Sequence, residues 1–210
     1  SWYPSAEYET NNTIKNVGLF DLTPFSKFEI KSYKAHQELQ KICTANIKNV
    51  PGKCVYTHML NPDGGIETDL TVVCLDNNHF RIISSAATRE RDKFHIRKYL
   101  SKDIELKDTT DDLCVFGLFG PKSRDLIKTI SKDNFDNDNF KFGTAKYIII
   151  EGIKIWVQRL SYVGELGYEL YVNFNDAKKI YELIVNSGKA FNLSNCGMHA
   201  MDIMRMESGF

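Results

Sequence analysis

The sequence predicts an α+β protein with mainly antiparallel sheets, and three features carry that reading. Strand-like and helix-like segments follow one another without a steady βαβ repeat. Pro62-Asp63-Gly64-Gly65 makes a tight turn into an alternating run from Ile66 to Leu75, the pattern of a hairpin. In Gly164-Glu165-Leu166-Gly167, two glycines three apart would cost a helix about 1 kcal/mol each, so this segment turns the chain between two strands.

The elements follow in order. Residues 27–30 read as a strand, and 35–42 as a helix because the apolar positions recur at helical spacing. Pro51-Gly52 interrupts the chain before a strand over 55–60. A strand over 80–84, a helix over 88–100 and a strand over 114–117 come next, and Pro121 opens a helix that runs to about residue 130. The stretch 131–139 is rich in Asn and Asp with few apolar residues, and it reads as the loop between two lobes. The lobes are then residues 1–50 with 140–210, and 51–139. Beyond that loop, 146–150, 154–160 and 168–172 read as strands, 176–188 as a helix with Asp176 as its N-cap, and 198–206 as a last helix.

With 210 residues, of which 42% are hydrophobic and 26% charged, the chain can fill a large core or two small packed lobes. Lysine plus arginine equals aspartate plus glutamate at 27 each, so no net field draws the protein to nucleic acid or to an anionic membrane. No apolar run approaches the roughly 20 residues that span a bilayer. The five cysteines are widely spaced without a CxxC pair, which excludes a readable disulfide framework or zinc site and suits a cytoplasmic or mitochondrial-matrix setting. The chain starts at a serine and stops after Glu207-Ser208-Gly209-Phe210, directly beyond a helical pattern, so it is expected to be part of a longer protein.

Two segments concentrate polar chemistry. On the strand from Ile66, period-two geometry sets Ile66, Thr68, Leu70 and Val72 on one face and Glu67, Asp69, Thr71 and Val73 on the other. Aspartate is disfavoured in strands, so Asp69 needs a reason: either a solvated outer face or a carboxylate aimed into a ligand cavity. In the segment from Ser161 to Val172, Tyr168, Leu170 and Val172 share one face of the second strand and leave Glu169 and Tyr171 on the other. Residue pattern alone leaves this open between a surface hairpin and the wall of a site.

Other signatures are missing. There is no GxGxxG for a dinucleotide and no GxSxG nucleophile elbow. The segment from Gly117 to Ser123 is too short, and too interrupted by Pro121, to be a phosphate loop. The five histidines form no metal spacing, so no metal is expected.

Several blocks, taken in order, resemble the aminomethyltransferase (glycine-cleavage T-protein) superfamily. They are Val17-Gly18-Leu19-Phe20-Asp21-Leu22, Tyr56-Thr57-His58-Met59-Leu60-Asn61, Gly64 to Val72, Gly120-Pro121, Tyr162 to Leu170 and Arg205-Met206-Glu207-Ser208-Gly209. Thr68-Asp69 and Tyr162-Val163-Gly164-Glu165-Leu166-Gly167 are most similar to the folate domain fused to FAD-dependent dimethylglycine and sarcosine dehydrogenases.

The resemblance implies a fold of two packed α+β lobes from a cloverleaf whose C-terminal barrel lobe is missing, with a tetrahydrofolate site at its centre. It implies that Asp69 is the catalytic acid-base group and Thr71 a neighbouring ligand contact. Tyr56 becomes an aromatic contact near the reacting end, Tyr162 packs on or bonds the folate, and Glu169 accepts hydrogen bonds from the pterin. Many T-proteins carry an arginine where this chain has Met201, so the resemblance does not carry that folate contact over.

The implied activity is tetrahydrofolate-dependent aminomethyl transfer forming 5,10-methylenetetrahydrofolate from a small-molecule adduct of a methylated glycine. FAD belongs to a part of the parent protein preceding Ser1. Two alternatives stand beside this reading: a free-standing glycine-cleavage aminomethyltransferase working with a lipoyl carrier protein, and a non-catalytic folate-binding or phosphatase-regulatory homologue.

Overall fold

The structure, a computed structural model, describes residues 1–210. The chain divides into two compact units, one made of Ser1–Thr23 with Leu113–Phe210 and the other of Pro24–Asp112.

The first unit contains α1 (Tyr3–Lys15) and β1 (Val17–Asp21) from the N-terminal stretch. The second unit follows as β2 (Ser26–Lys31), α2 (Ala35–Ile42), β3 (Cys54–Leu60), β4 (Ile66–Asp76), β5 (His79–Ser84), α3 (Arg89–Tyr99) and β6 (Leu106–Asp108). The chain then returns to the first unit with β7 (Leu113–Phe119), α4 (Ser123–Ile130), β8 (Thr144–Ile150), β9 (Ile153–Arg159), β10 (Gly167–Asn173), α5 (Phe174–Gly188), β11 (Leu193–Cys196) and α6 (Met198–Glu207).

In the first unit the strands form one sheet in the order β11-β1-β7-β10-β9-β8. Only β1 and β11 run parallel. Leu118, Val157, Tyr168, Leu170 and Val172 line one face and pack with Leu126 and Ile127 of α4 and Ile180 and Ile184 of α5. The amphipathic spacing of α4 and α5 is what lets them cover this face and leave the other to different chemistry. In the second unit the sheet order is β3-β4-β5-β2-β6, antiparallel throughout. Phe28, Ile30, Leu70, Val72, Phe80 and Ile82 point from it into a core closed by Leu39 of α2 and Ile96 of α3.

The α+β class and antiparallel pairing agree with the sequence reading, and the helix over 35–42 matches α2. The division between units differs from the one read at 50 and 139. Residues 131–139 lie inside the first unit because Phe135 and the nearby Phe140 are buried in its core. Asp133 adds a tether, since its Oδ2 accepts from Ser131 Oγ and from the Ile149 N–H, both at 2.9 Å. Residues 24–50 likewise belong with the second unit, because β2 pairs with β5 and its Phe28 and Ile30 enter that core. Asp176 is not an N-cap: α5 begins at Phe174, which places Asp176 in its first turn, where a negative charge suits the helix dipole.

Candidate functional site

Chemistry-bearing residues occur in both units. In the second, β3 and β4 are joined by a turn that Asn61 organises. Its Oδ1 accepts from the N–H of Asp63 at 3.0 Å and of Gly65 at 2.8 Å, while Gly64 takes a φ of +81° that favours glycine. The resulting register pairs Tyr56 with Thr71 and His58 with Asp69. Thr68, Leu70 and Val72 are buried, so the alternate residues Asp69 and Thr71 face outward as period two requires. Ile66, assigned by the same alternation to the buried face, is exposed because it begins the strand at the hairpin mouth.

The outer face carries a defined contact. Tyr56 Oη donates to Asp69 Oδ2 at 3.1 Å, and the Tyr56 ring meets the His58 ring edge-on with centroids 5.5 Å apart. Tyr56 is 60% exposed and Asp69 is exposed as well. On the opposite face, Thr68 Oγ1 and Thr88 Oγ1 donate to Asp92 Oδ2 at 3.2 and 2.7 Å, which fixes the strand from beneath. Asp69 is therefore an accessible carboxylate on a rigid strand, with one oxygen oriented by a tyrosine.

In the first unit, Glu169 and Tyr171 stand on the face of β10 turned away from the α4 and α5 core. Tyr171 Oη donates to Glu169 Oε2 at 3.0 Å. Glu169 is half-buried, and burial pushes its carboxyl up to about 7 although the Tyr171 hydrogen bond works against that rise. Across the sheet, Glu169 is paired with Gly117 of β7 and Gln158 of β9, and Tyr171 with Val115 and Trp156. The Phe119 ring fills the space over Gly117 and Gly167: a Cβ at either position would lie 2.8 or 2.4 Å from it. Gln158 is fully buried, and neither end of its amide has a hydrogen-bond partner; the buried Trp156 Nε1 also lacks an acceptor.

Tyr162 sits in the turn before β10, with its ring 5.7 Å from that of Phe210. This turn is docked on the end of α6. Ser208 Oγ donates to the Val163 carbonyl at 3.3 Å, and Gly164, at a φ of +75°, leaves only enough room for that hydroxyl. Met201 is buried in the body of the unit. The structure thus groups Tyr56, Asp69 and Thr71 on one face of the second unit, and places Tyr162 and Glu169 in one turn-and-strand segment of the first.

Sequence reasoning did not single out Gln158, Trp156 or Asn61. The alternation along Ile153–Arg159 carried the signal for the first two, since Ile155 and Val157 are core residues and Trp156 and Gln158 fall on the other side. No group of three or more His, Cys, Asp or Glu is placed to hold a metal ion, and no helix is long and apolar enough to cross a membrane.

The fold is that of a mixed α+β domain built on two sheets. The chain belongs to the GCVT N-terminal domain family, whose model matches residues 1–210. It is 32% identical over 213 residues to a mitochondrial dimethylglycine dehydrogenase of Rattus norvegicus, covering 100% of this chain and 25% of that protein. It is 31% identical over 207 residues to an aminomethyltransferase of Halothermothrix orenii, covering 96% of this chain and 57% of the relative. Among solved structures, the glycine cleavage system aminomethyltransferase T from Bartonella henselae superposes with a TM-score of 0.84 at 19% identity, over 98% of this chain and 54% of that one, which shows a shared fold. The chain spans a quarter of the dehydrogenase and little more than half of the transferase. The likeness read from the ordered sequence blocks is borne out at the level of the family.

Proposed function

We propose that this chain is a tetrahydrofolate-dependent one-carbon (aminomethyl) transfer domain, of the kind joined to dimethylglycine- or sarcosine-type dehydrogenases. The observation that supports this best is Glu169, a half-buried carboxylate with Oε2 bonded to Tyr171 and Oε1 left to accept from a ligand. A reduced pterin presents adjacent N–H donors, and these match a carboxylate better than any neutral acceptor. The unpartnered amide of Gln158 on the same face suits a polar heterocycle and not an aliphatic ligand.

Tetrahydrofolate, when bound, would supply the two nitrogens that bridge the one-carbon unit of an iminium or aminomethyl adduct of a methylated glycine, giving 5,10-methylenetetrahydrofolate as the amine departs and a proton is released. Glu169 orients the pterin and Tyr162 packs on or bonds it. Asp69 accepts the proton released from nitrogen, a role worth about 10² to 10⁴ in rate. Tyr56 holds the Asp69 carboxylate through Oδ2 and leaves Oδ1 for that proton. Thr71, its strand partner on that face, is a further ligand contact. Amine oxidation, which requires FAD, is assigned to no residue of this chain.

Titration calorimetry of the protein with tetrahydrofolate and, separately, with FAD tests the reading. Heat with tetrahydrofolate and none with FAD is expected. Tight FAD binding without a folate signal would overturn it.

A further inference from the structure

Gln158 has no account in the packing of the first unit. Its side chain is 0% exposed, and both Nε2 and Oε1 lack a hydrogen-bond partner. Burying an amide without partners opposes folding, so such a group survives only where something offsets it. Its neighbours on the sheet do not. On β8 it is paired with Ala145, which has no polar side-chain atom. On β10 it is paired with Glu169, yet no hydrogen bond joins the two, and the hydroxyl bonded to that carboxylate is Tyr171's.

The row across the sheet therefore reads Gly117, Glu169, Gln158, Ala145. Two polar ends stand side by side between two positions that offer none. The Phe119 ring borders the glycine end, and the buried Trp156 indole, with its own N–H unpartnered, lies two residues back along β9 on the same face. Glu169 can only accept when ionised, whereas the Gln158 amide both donates and accepts. Side by side they match a planar ring system that carries N–H donors on one edge and an oxo acceptor beside an N–H on the next.

We infer that Gln158 is a second recognition residue of the Glu169 site: its amide binds the oxo-bearing edge of the same fused heterocycle whose amino edge Glu169 holds. This rests on the proposed folate reading and extends it by naming the residue that distinguishes an oxo-pterin from rings without that edge. Gln158 touches ligand in this role and takes no part in proton transfer.

The test compares Gln158→Leu and Gln158→Met with the unaltered full chain, using tetrahydrofolate as the probe. Each protein is measured by calorimetry with ligand and by thermal melting without it. The expected result is an affinity at least about tenfold weaker in both variants, with a ligand-free melting temperature that is unchanged or raised because an unpartnered amide has been removed. Affinity within about twofold of the unaltered chain, a clear fall in the ligand-free melting temperature, or failure of both variants to fold would overturn the inference, the last two because they would show a structural partner for the amide. If the unaltered chain itself gives no heat with tetrahydrofolate, the folate reading fails first; binding that persists in both variants removes Gln158 alone and leaves that reading standing.

Discussion

Tyr171 and Glu169 stand two residues apart on β10, and the tyrosine hydroxyl donates to one carboxylate oxygen at 3.0 Å. That single bond does not offset the removal of the carboxylate from water, and the group titrates near neutrality as a result. A carboxyl with a pKa of about 7 is poised to exchange its proton for a cationic or N–H-rich ligand at physiological pH.

The first prediction follows from the sign of that displacement. Below pH 4.5, the ordinary value, folded and unfolded chains both hold the proton and Glu169 adds no pH dependence. Between 4.5 and about 7 the unfolded chain releases its proton first, so stability falls as pH rises and levels off above that range. The loss is on the order of 3 kcal/mol at pH 8. Urea melts of Glu169→Gln across pH 4 to 8, subtracted from those of the unaltered chain, should reveal this slope. Parallel curves would show that the carboxyl is well solvated.

Glu29 gives the opposite dependence in the second unit. Burial opposes its ionisation, but the hydrogen bond to His79 at 2.9 Å and the charge of Arg81 at 2.7 Å bring it down to about 2. Its stabilisation is present in full above the ordinary value of 4.5 and is lost as pH falls from there toward 2. Glu29→Gln should cost roughly 2–3 kcal/mol at pH 7. Acid titration followed by circular dichroism would show the deficit closing by about pH 2; a deficit that persists there would mean packing, and not charge, carries the contribution.

Gly164 and Ser208 make a double-mutant test of how the turn before β10 is held. A Cβ on Gly164 would lie 2.1 Å from Ser208 Oγ, and the backbone φ is +75°. Gly164→Ala should cost about 2–4 kcal/mol, from the clash together with left-handed backbone strain. In Gly164→Ala/Ser208→Gly the clash goes and the strain, about 1–2 kcal/mol, remains. Additive losses in chemical denaturation would show that the turn does not pack on α6 in solution.

Much of this architecture is written in residue periodicity, and the parts that are not have identifiable causes. Asp69 and Thr71 could be put on one face because β4 alternates cleanly there, and Glu169 with Tyr171 for the same reason. The helix α1 leaves no such trace: only Ala6, Thr10 and Thr13 are buried along Tyr3–Lys15, so it has no apolar stripe to read. The short strands β6 and β11 are likewise too brief for a pattern. The boundary between the units is not legible in composition, because two phenylalanines, Phe135 and Phe140, anchor an otherwise polar stretch in the first unit and composition averages over such anchors. The unpartnered state of Gln158 is a property of its cross-strand neighbours, Ala145 and Glu169, and no periodicity window of about 11–18 residues contains all three.

The last prediction separates chemistry from binding at Asp69, in the full-length protein under the dehydrogenase-linked reading. Asp69 is exposed and its Oδ2 is bonded by Tyr56, so Asp69→Asn keeps the size and can keep that hydrogen bond through the amide oxygen while losing the charge and the proton acceptor. Stability should change by less than about 0.5 kcal/mol, as for surface positions generally. Tetrahydrofolate affinity should shift by less than the roughly tenfold that 1.4 kcal/mol represents. Oxidation of the methylated amine should continue, whereas methylenetetrahydrofolate formation falls by about 10² or more. Free formaldehyde then rises, because an iminium that is not captured by nitrogen is hydrolysed. Assaying all three products together makes the outcome decisive. Unchanged methylenetetrahydrofolate would remove Asp69 from the chemistry, and an equal loss of oxidation and transfer would make it a structural residue, leaving the Tyr56 contact as its main role.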